Sequence, residues 1–194
     1  GDASGKSTLV DILFGLRTPS CGQVLLNGVD VRTLALSHLR RDVALVGTAE
    51  IFDGTVLDNL RLGREAIDGA LVSEALELVA LAGEVAELPQ GTLTRLGHTG
   101  SRLTSSQAAR LSIARALVSR PRLLILDETL DGLETETVRT ILRGVARARH
   151  ATTIMVFTSR EEIADAVGTV VRLDRGVLRG VANPSRKPSG EIAQ

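Results

Sequence analysis

Residues 103–134 constrain this chain more than any other stretch. Leu111, Ala114, Leu117 and Val118 recur at helical spacing, and Thr104, Ser105 and Ser106 supply hydroxyls where a helix starting near Ser106 needs capping. That helix has to end before Pro121. Leu123-Leu124-Ile125-Leu126 then forms an uninterrupted apolar run, the pattern of a strand covered on both faces, and it delivers two adjacent carboxylates, Asp127 and Glu128. Acids at the carboxyl end of a buried strand are costly to desolvate, so they serve a metal ion and a water better than they serve packing. The competing reading, two acids in a solvated turn, is the weaker one because of what stands at the start of the chain.

The chain opens on Gly1-Asp2-Ala3-Ser4-Gly5-Lys6-Ser7-Thr8, followed by Leu9, Ile12, Leu13 and Leu16 on one helical face. This is a phosphate loop opening a helix. In the pattern G-x-x-x-x-G-K-[ST], backbone amides cradle phosphates, the lysine neutralises the β and γ charges, and the hydroxyl after it ligates magnesium. Gly5, Lys6 and Ser7 fit those roles, and the first glycine of the pattern belongs one position before Gly1. Lysine is scarce beside arginine in this chain, so its use at position 6 suits a compact point charge. A helix after a phosphate loop, with an acid pair borne on a strand far downstream, describes a nucleoside triphosphatase on a mostly parallel sheet.

The bulk numbers agree with a single domain of this kind. With 194 residues, 43% of them hydrophobic, the chain can bury one sizeable core and hardly a second. Its 23 basic and 23 acidic residues balance and its only aromatics are three Phe, so neither a basic field nor a stacking surface favours nucleic acid. Cys21 is alone, which excludes an internal disulfide and is compatible with a reducing compartment. No apolar run approaches the roughly 20 residues of a membrane span, and no signal peptide is expected. The chain begins without Met inside a motif and is expected to be a fragment, unstable alone for want of the strand that should precede the loop.

Between these landmarks, Gly22–Gly28 reads as a strand ending in an Asn-Gly turn, and His38–Arg41 as a short helical segment leading into a strand over Asp42–Val46. Gly47–Leu60 is too polar and glycine-punctuated for a core element, and Leu88–Arg102 is expected to be a loop. Ala70–Ala82 predicts a packing helix with Leu71, Ala75, Leu78, Val79 and Ala82 on one face. Val138, Ile141, Leu142 and Val145 predict an amphipathic helix up to Arg149, and Thr152–Phe157 a buried strand. Val167–Leu173 and Val177–Val181 read as two last strands, and residues 182–194 as a disordered tail.

In order and spacing, these motifs resemble the ATP-binding cassette (ABC) ATPases, exporter type, over roughly Gly1–Val181. Gly1–Thr8 matches the Walker A loop, Leu103–Gln107 the LSGGQ signature, Leu123–Glu128 the Walker B strand with its glutamate, and Asp131-Gly132-Leu133-Glu134 the D-loop. Phe52-Asp53-Gly54-Thr55-Val56 with Asn59-Leu60 is similar to the exporter LFxGTIxxNI pattern, and Thr94–Gly100 to TxVGExG, with His98 at the usual Glu. The resemblance implies a P-loop NTPase fold of the ABC type, a mostly parallel sheet flanked by helices, with a helical subdomain inserted at about 60–119 of a domain spanning 1–181. It implies ATP and Mg2+ as ligands. Gly1, Asp2, Ala3, Ser4, Gly5, Lys6, Ser7 and Thr8 would hold phosphates, Ser7 and Asp127 the metal, and Glu128 the attacking water. Thr104, Ser105, Ser106 and Gln107 would face ATP held by a second ABC domain, and Ser159 would stand near the γ-phosphate. The implied partners are that second domain, identical or not, and the transmembrane domains of an exporter, at the cytoplasmic face of a membrane.

The departures from the pattern set a further expectation. Ser159 replaces the switch histidine, no Gln occurs in Val46–Glu50 where the Q-loop glutamine belongs, the two signature glycines are Ser105 and Ser106, and Ala3 stands at a common Gly. Serine cannot carry the charge of an imidazole near neutral pH, and two added side chains crowd a backbone meant to approach phosphate closely. The resemblance therefore implies a motor domain that binds Mg-ATP and hydrolyses it slowly. The alternatives are a nucleotide-gated clamp with little hydrolysis and a soluble, non-transport ABC ATPase.

Overall fold

The computed structural model describes residues 5–64, 66–97, 102–148, 150–164 and 166–181. Gly1–Ser4 of the expected phosphate loop, His98–Gly100 of the expected exporter segment and the 182–194 tail lie outside the described residues.

Helix α1 (Lys6–Leu13) is followed by a small hairpin, β1 (Leu25–Leu26) and β2 (Val29–Asp30). Asn27 and Gly28 both take positive φ, 51° and 81°, the twist that a two-residue Asn-Gly turn imposes. Leu16, expected on the face of α1, lies beyond its end and is exposed; Val10 is the residue that the helix buries. Helix α2 (Leu36–Asp42) leads into β3 (Val43–Val46). The segment read as irregular then forms β4 (Gly54–Thr55) and α3 (Val56–Arg61). A capping box explains the difference: Thr55 and Asp58 satisfy each other's backbone amides, which turns a polar stretch into a helix start and lets Val56, Asn59 and Leu60 be buried.

The next helix stops short of its expected end. α4 (Gly69–Leu78) breaks where Ala80 turns left-handed (φ 53°), and α5 (Ala82–Ala86) follows at a new angle. Of the face read in the sequence, Ala75 and Val79 are buried and Leu71, Leu78 and Ala82 partly so, while Val72 and Leu76 join them in the core. The expected loop up to Arg102 contains a short 3-10 turn at Gly91–Leu93 and β5 (Arg95–Leu96), which pairs antiparallel with β4. Gly97 closes that pair at φ 102°; a Cβ there would fall 1.8 Å from Asp53 Oδ1.

Helix α6 (Ser105–Leu117), β6 (Leu123–Asp127), α7 (Thr135–Arg147), β7 (Thr153–Phe157) and α8 (Glu161–Ala164) follow, and the antiparallel pair β8 (Val170–Asp174) and β9 (Val177–Val181) comes last. Strands β3, β6 and β7 form a parallel sheet in that order, with β6 central. Leu124, Ile125 and Leu126 have no exposed surface, each contributing on the order of 2 kcal/mol of transfer free energy. Because strand residues alternate faces, Leu124 and Leu126 join the large core with α3, α4, α6 and α7, while Ile125 joins Val10 of α1 and Leu39 of α2 on the other side. Helices on both faces of a parallel sheet therefore hold α1 over the carboxyl end of β6. Strand β7, read as buried, is only partly covered, since among the described residues it pairs on one side alone.

Candidate active site

The acids of residues 103–134 sit where β6 ends. Asp127 is its last residue, and Glu128 follows with φ 56°, an uncommon left-handed conformation for a non-glycine residue. Its N–H donates to Phe157 O at 2.9 Å, so the turn is pinned to β7 and cannot relax by continuing the strand. This aims the Glu128 carboxylate across to α1, where Lys6 Nζ lies 3.4 Å from Glu128 Oε1. Lys6 is largely sheltered, at 17% side-chain exposure, whereas Glu128 is open at 60%. At the start of α1, Gly5 takes the cap position at φ 91° and no side chain fills the cap. First-turn amides and the positive end of the helix dipole are therefore available to an anion. Ser7 and Thr8, in that first turn, are exposed.

Burial holds the Asp127 carboxyl above the usual carboxylate range, Glu128 adds to the effect, Lys6 opposes it, and Asp11 and Asp131 push the same way. Several acids thus share one lysine. A divalent cation would relieve that crowding, and hard oxygen donors suit magnesium. No cluster of three or more His, Cys, Asp or Glu side chains is arranged to cage a metal among the described residues. The residues present fit an ion that takes most of its oxygens from phosphates and water, as magnesium does.

A second layer fixes the turn after the acids. Thr129 Oγ1 donates to Val46 O at 2.7 Å, which ties the acids to the end of β3. Asp131 accepts hydrogen bonds from the hydroxyls of Thr158 and Ser159, the latter at 3.4 Å. Arg160 donates from Nη1 to Asp131 O (3.0 Å) and Leu133 O (2.6 Å), and from Nη2 to Thr135 Oγ1 (3.1 Å). Ser159, expected beside the γ-phosphate, is exposed and its hydroxyl is turned onto Asp131. At Gly47, in the segment where no glutamine occurs, a Cβ would meet nothing within 4 Å. Glu50 lends its carbonyl to Arg115 Nη2 at 2.7 Å, and the same guanidinium lies 5.0 Å from the centre of the Phe52 ring.

At the other end, Thr104 caps α6. Its hydroxyl accepts from Gln107 N at 3.2 Å while its own N–H donates to Gln107 Oε1 at 2.9 Å, a complete capping box. Gln107 Nε2 donates to Glu84 Oε2 at 2.8 Å. The Gln107 side chain, expected to face ATP, is thus engaged within its own chain. Thr104 and Ser105 are exposed and Ser106 half-buried, at the free start of the helix.

The structure brings Gly5, Lys6, Asp127 and Glu128 together and sets Thr104–Gln107 apart from them, at the far end of α6. Sequence reasoning missed Arg160, Glu84 and Asn59 as supporting residues. Asn59 is fully buried and holds both the N–H and C=O of Phe52, at 2.9 and 2.8 Å. The Thr-x-x-Asp spacing signalled α3 and so Asn59; nothing local signals Arg160 or Glu84, whose partners are distant in the chain.

A family model described as ABC transporter matches residues 2–131. P-glycoprotein 14 of Caenorhabditis elegans is 34% identical over 181 residues, covering 93% of this chain and 14% of that protein. The ATM1-type heavy metal exporter of Novosphingobium aromaticivorans is 35% identical over 177 residues, covering 90% of this chain and 29% of that one. The solved structure of a bacterial Atm1-family ABC exporter with ATP bound superposes with a TM-score of 0.78 at 35% identity, covering 89% of this chain and 31% of that chain. The chain spans less than a third of the length of each of these relatives.

Proposed function

The chain belongs to the ABC transporter family, and on that premise we propose that it is the ATP-binding and ATP-hydrolysing motor domain of an exporter, paired with a second such domain at the cytoplasmic face of a membrane. Relatives named as a heavy metal exporter and as an ATP-dependent lipid A-core flippase support the exporter reading. The observation that carries the proposal is the meeting of Lys6, at the amino end of α1, with Asp127 and Glu128 at the end of β6.

In this reading Gly5, Lys6 and the first-turn amides of α1, together with the loop residues Gly1–Ser4, bind the phosphates of ATP, and Ser7 and Asp127 hold magnesium. Magnesium, when bound, neutralises the charge on the β and γ phosphates. Glu128, exposed and adjacent, orients a water and accepts its proton as it attacks phosphorus. Lys6 leaves its ion pair with Glu128 for the phosphates when ATP enters, which frees the carboxylate for that role. Thr104, Ser105 and Ser106 offer hydroxyls and the amino end of α6 to ATP held by the partner domain.

Hydrolysis is slow in this proposal because two groups that would sense the γ-phosphate are missing. Gly47 and its neighbours supply no glutamine, and the Ser159 hydroxyl is committed to Asp131. The same bond favours a second reading, a clamp that closes on ATP with little turnover. Mg-ATP binding, ATP-dependent pairing and phosphate release, measured on the full-length protein, test both. Binding with slow release supports the motor, pairing with no release supports the clamp, and failure to bind Mg-ATP overturns both. Gly47→Gln with Ser159→His is expected to speed turnover by at least about tenfold; an unchanged rate overturns the account of why hydrolysis is slow.

A further inference from the structure

Arg110 and Gln107 project from the first turns of α6 and meet one acid, Glu84 of α5. Arg110 Nη1 lies 2.7 Å from Glu84 Oε1, and Arg110 Nη2 donates to Oε2 at 3.0 Å, a two-pronged pair in which the Arg110 side chain is 9% exposed and that of Glu84 41%. Arg110 Nη1 also donates to Ala80 O at 2.7 Å, at the left-handed residue where α4 gives way to α5. Gln107 Nε2 completes the set on Glu84 Oε2. Arg110 and Gln107 hold the Glu84 carboxyl below the usual carboxylate range although burial opposes them, so it is ionised at neutral pH.

These bonds fix more than α6. With Nε2 committed to a carboxylate, only Oε1 of Gln107 remains to accept from Thr104 N, so Glu84 sets which way the amide faces and thereby completes the cap. Leu81, Val85, Leu88, Leu103 and Leu111 line a cleft beside the cluster, on the sheltered side of Arg110. The exposed hydroxyls and amides of Thr104, Ser105 and Ser106 lie directly beyond that cap.

We propose that Glu84 is the positioning residue for the signature helix: through Gln107 and Arg110 it fixes where the amino end of α6 meets ATP on the partner domain. The proposal rests on the paired-domain reading above. It explains why the signature keeps Gln107 while its glycines are replaced: the glutamine's task is within the chain, and the serines face outward.

The test compares the wild type, Glu84→Ala and Glu84→Gln in the full-length protein. Binding of a fluorescent ATP analogue reports the Walker A site, ATPase assays give kcat and KM, and amide exchange over residues 104–107 reports the cap. Glu84→Ala is expected to lower kcat about tenfold, a coupling of ordinary size, with analogue affinity near wild type, a lower thermal midpoint because Arg110 loses its carboxylate, and faster exchange at 104–107. Glu84→Gln, whose Oε1 still accepts from Arg110 and Gln107, is expected to recover most of the rate. An unchanged kcat in Glu84→Ala overturns the proposal, as does parallel loss of analogue binding and thermal stability, or no recovery in Glu84→Gln. A wild type that binds no ATP analogue overturns the proposed function itself, a result distinct from failure at Glu84.

Discussion

The two ends of residues 103–134 are built by different means. At the acid end, Asp127 and Glu128 are placed by a central strand whose Leu124, Ile125 and Leu126 have no exposed surface and by a turn bonded to the next strand. At the signature end, Thr104–Gln107 open a helix whose later turns are packed in the core, and their own placement is held by polar contacts: a capping box, one carboxylate and one guanidinium. A position set by the core tolerates little change, because altering it removes packing that the whole domain needs. A position set by a few polar side chains can be retuned without disturbing the core. Lys6, Ser7, Asp127 and Glu128 are intact, while departures from the family pattern gather at Ser105, Ser106, Gly47 and Ser159, all at loops or helix ends.

Four substitutions would break or sharpen that contrast. The largest effect is expected from Glu128→Gln, which should cut turnover about 10²- to 10⁴-fold while Mg-ATP binding, followed by fluorescence, persists. Retained turnover would place the activity elsewhere. Ile125→Ala, next to the acids but wholly buried, should cost about 2–5 kcal/mol in denaturant unfolding. Thr104→Ala should cost only about 1 kcal/mol, the usual loss of an amino cap, measured in the same way. Equal costs at these two sites would erase the contrast between a core-set and a side-chain-set end.

The smallest effect concerns Asp127→Asn. Because the fold raises the Asp127 pKa, between the unfolded and folded values the native state holds a proton that the unfolded chain has released. Ionised Asp127 therefore costs stability, a deficit that grows as pH rises through the unfolded value and is complete above the folded one. At neutral pH without magnesium, Asp127→Asn should raise the thermal midpoint, and it should shrink the further rise produced by Mg-ATP. A lower midpoint would show that the crowding of acids is not what Asp127 experiences.

Much of this was legible in the chain. The apolar run Leu123–Leu126 and the periodicity of Val138, Ile141, Leu142 and Val145 reported burial faithfully, since a fully covered strand and a one-faced helix leave unambiguous patterns. The misreadings have separate causes. Ala80 turns left-handed without the glycine that usually marks such a break, so α4 and α5 read as one helix. The polarity of Gly47–Leu60 concealed α3, because Asn59 is a buried polar residue whose partners are backbone groups of Phe52 and Thr55.

The sequence by itself determined which residues the proposed chemistry draws on: a lysine and hydroxyl at a helix start, two acids after a buried strand, and a hydroxyl-rich cap on α6. These are local patterns, set by neighbours within a few positions. Only the tertiary structure decided how they work together. It set Lys6 against Glu128, turned Ser159 onto Asp131, and joined Glu84 to Gln107 and Arg110 across 23 and 26 residues of chain. Contacts between elements depend on how helices settle on both faces of the sheet, and no short-range pattern encodes them.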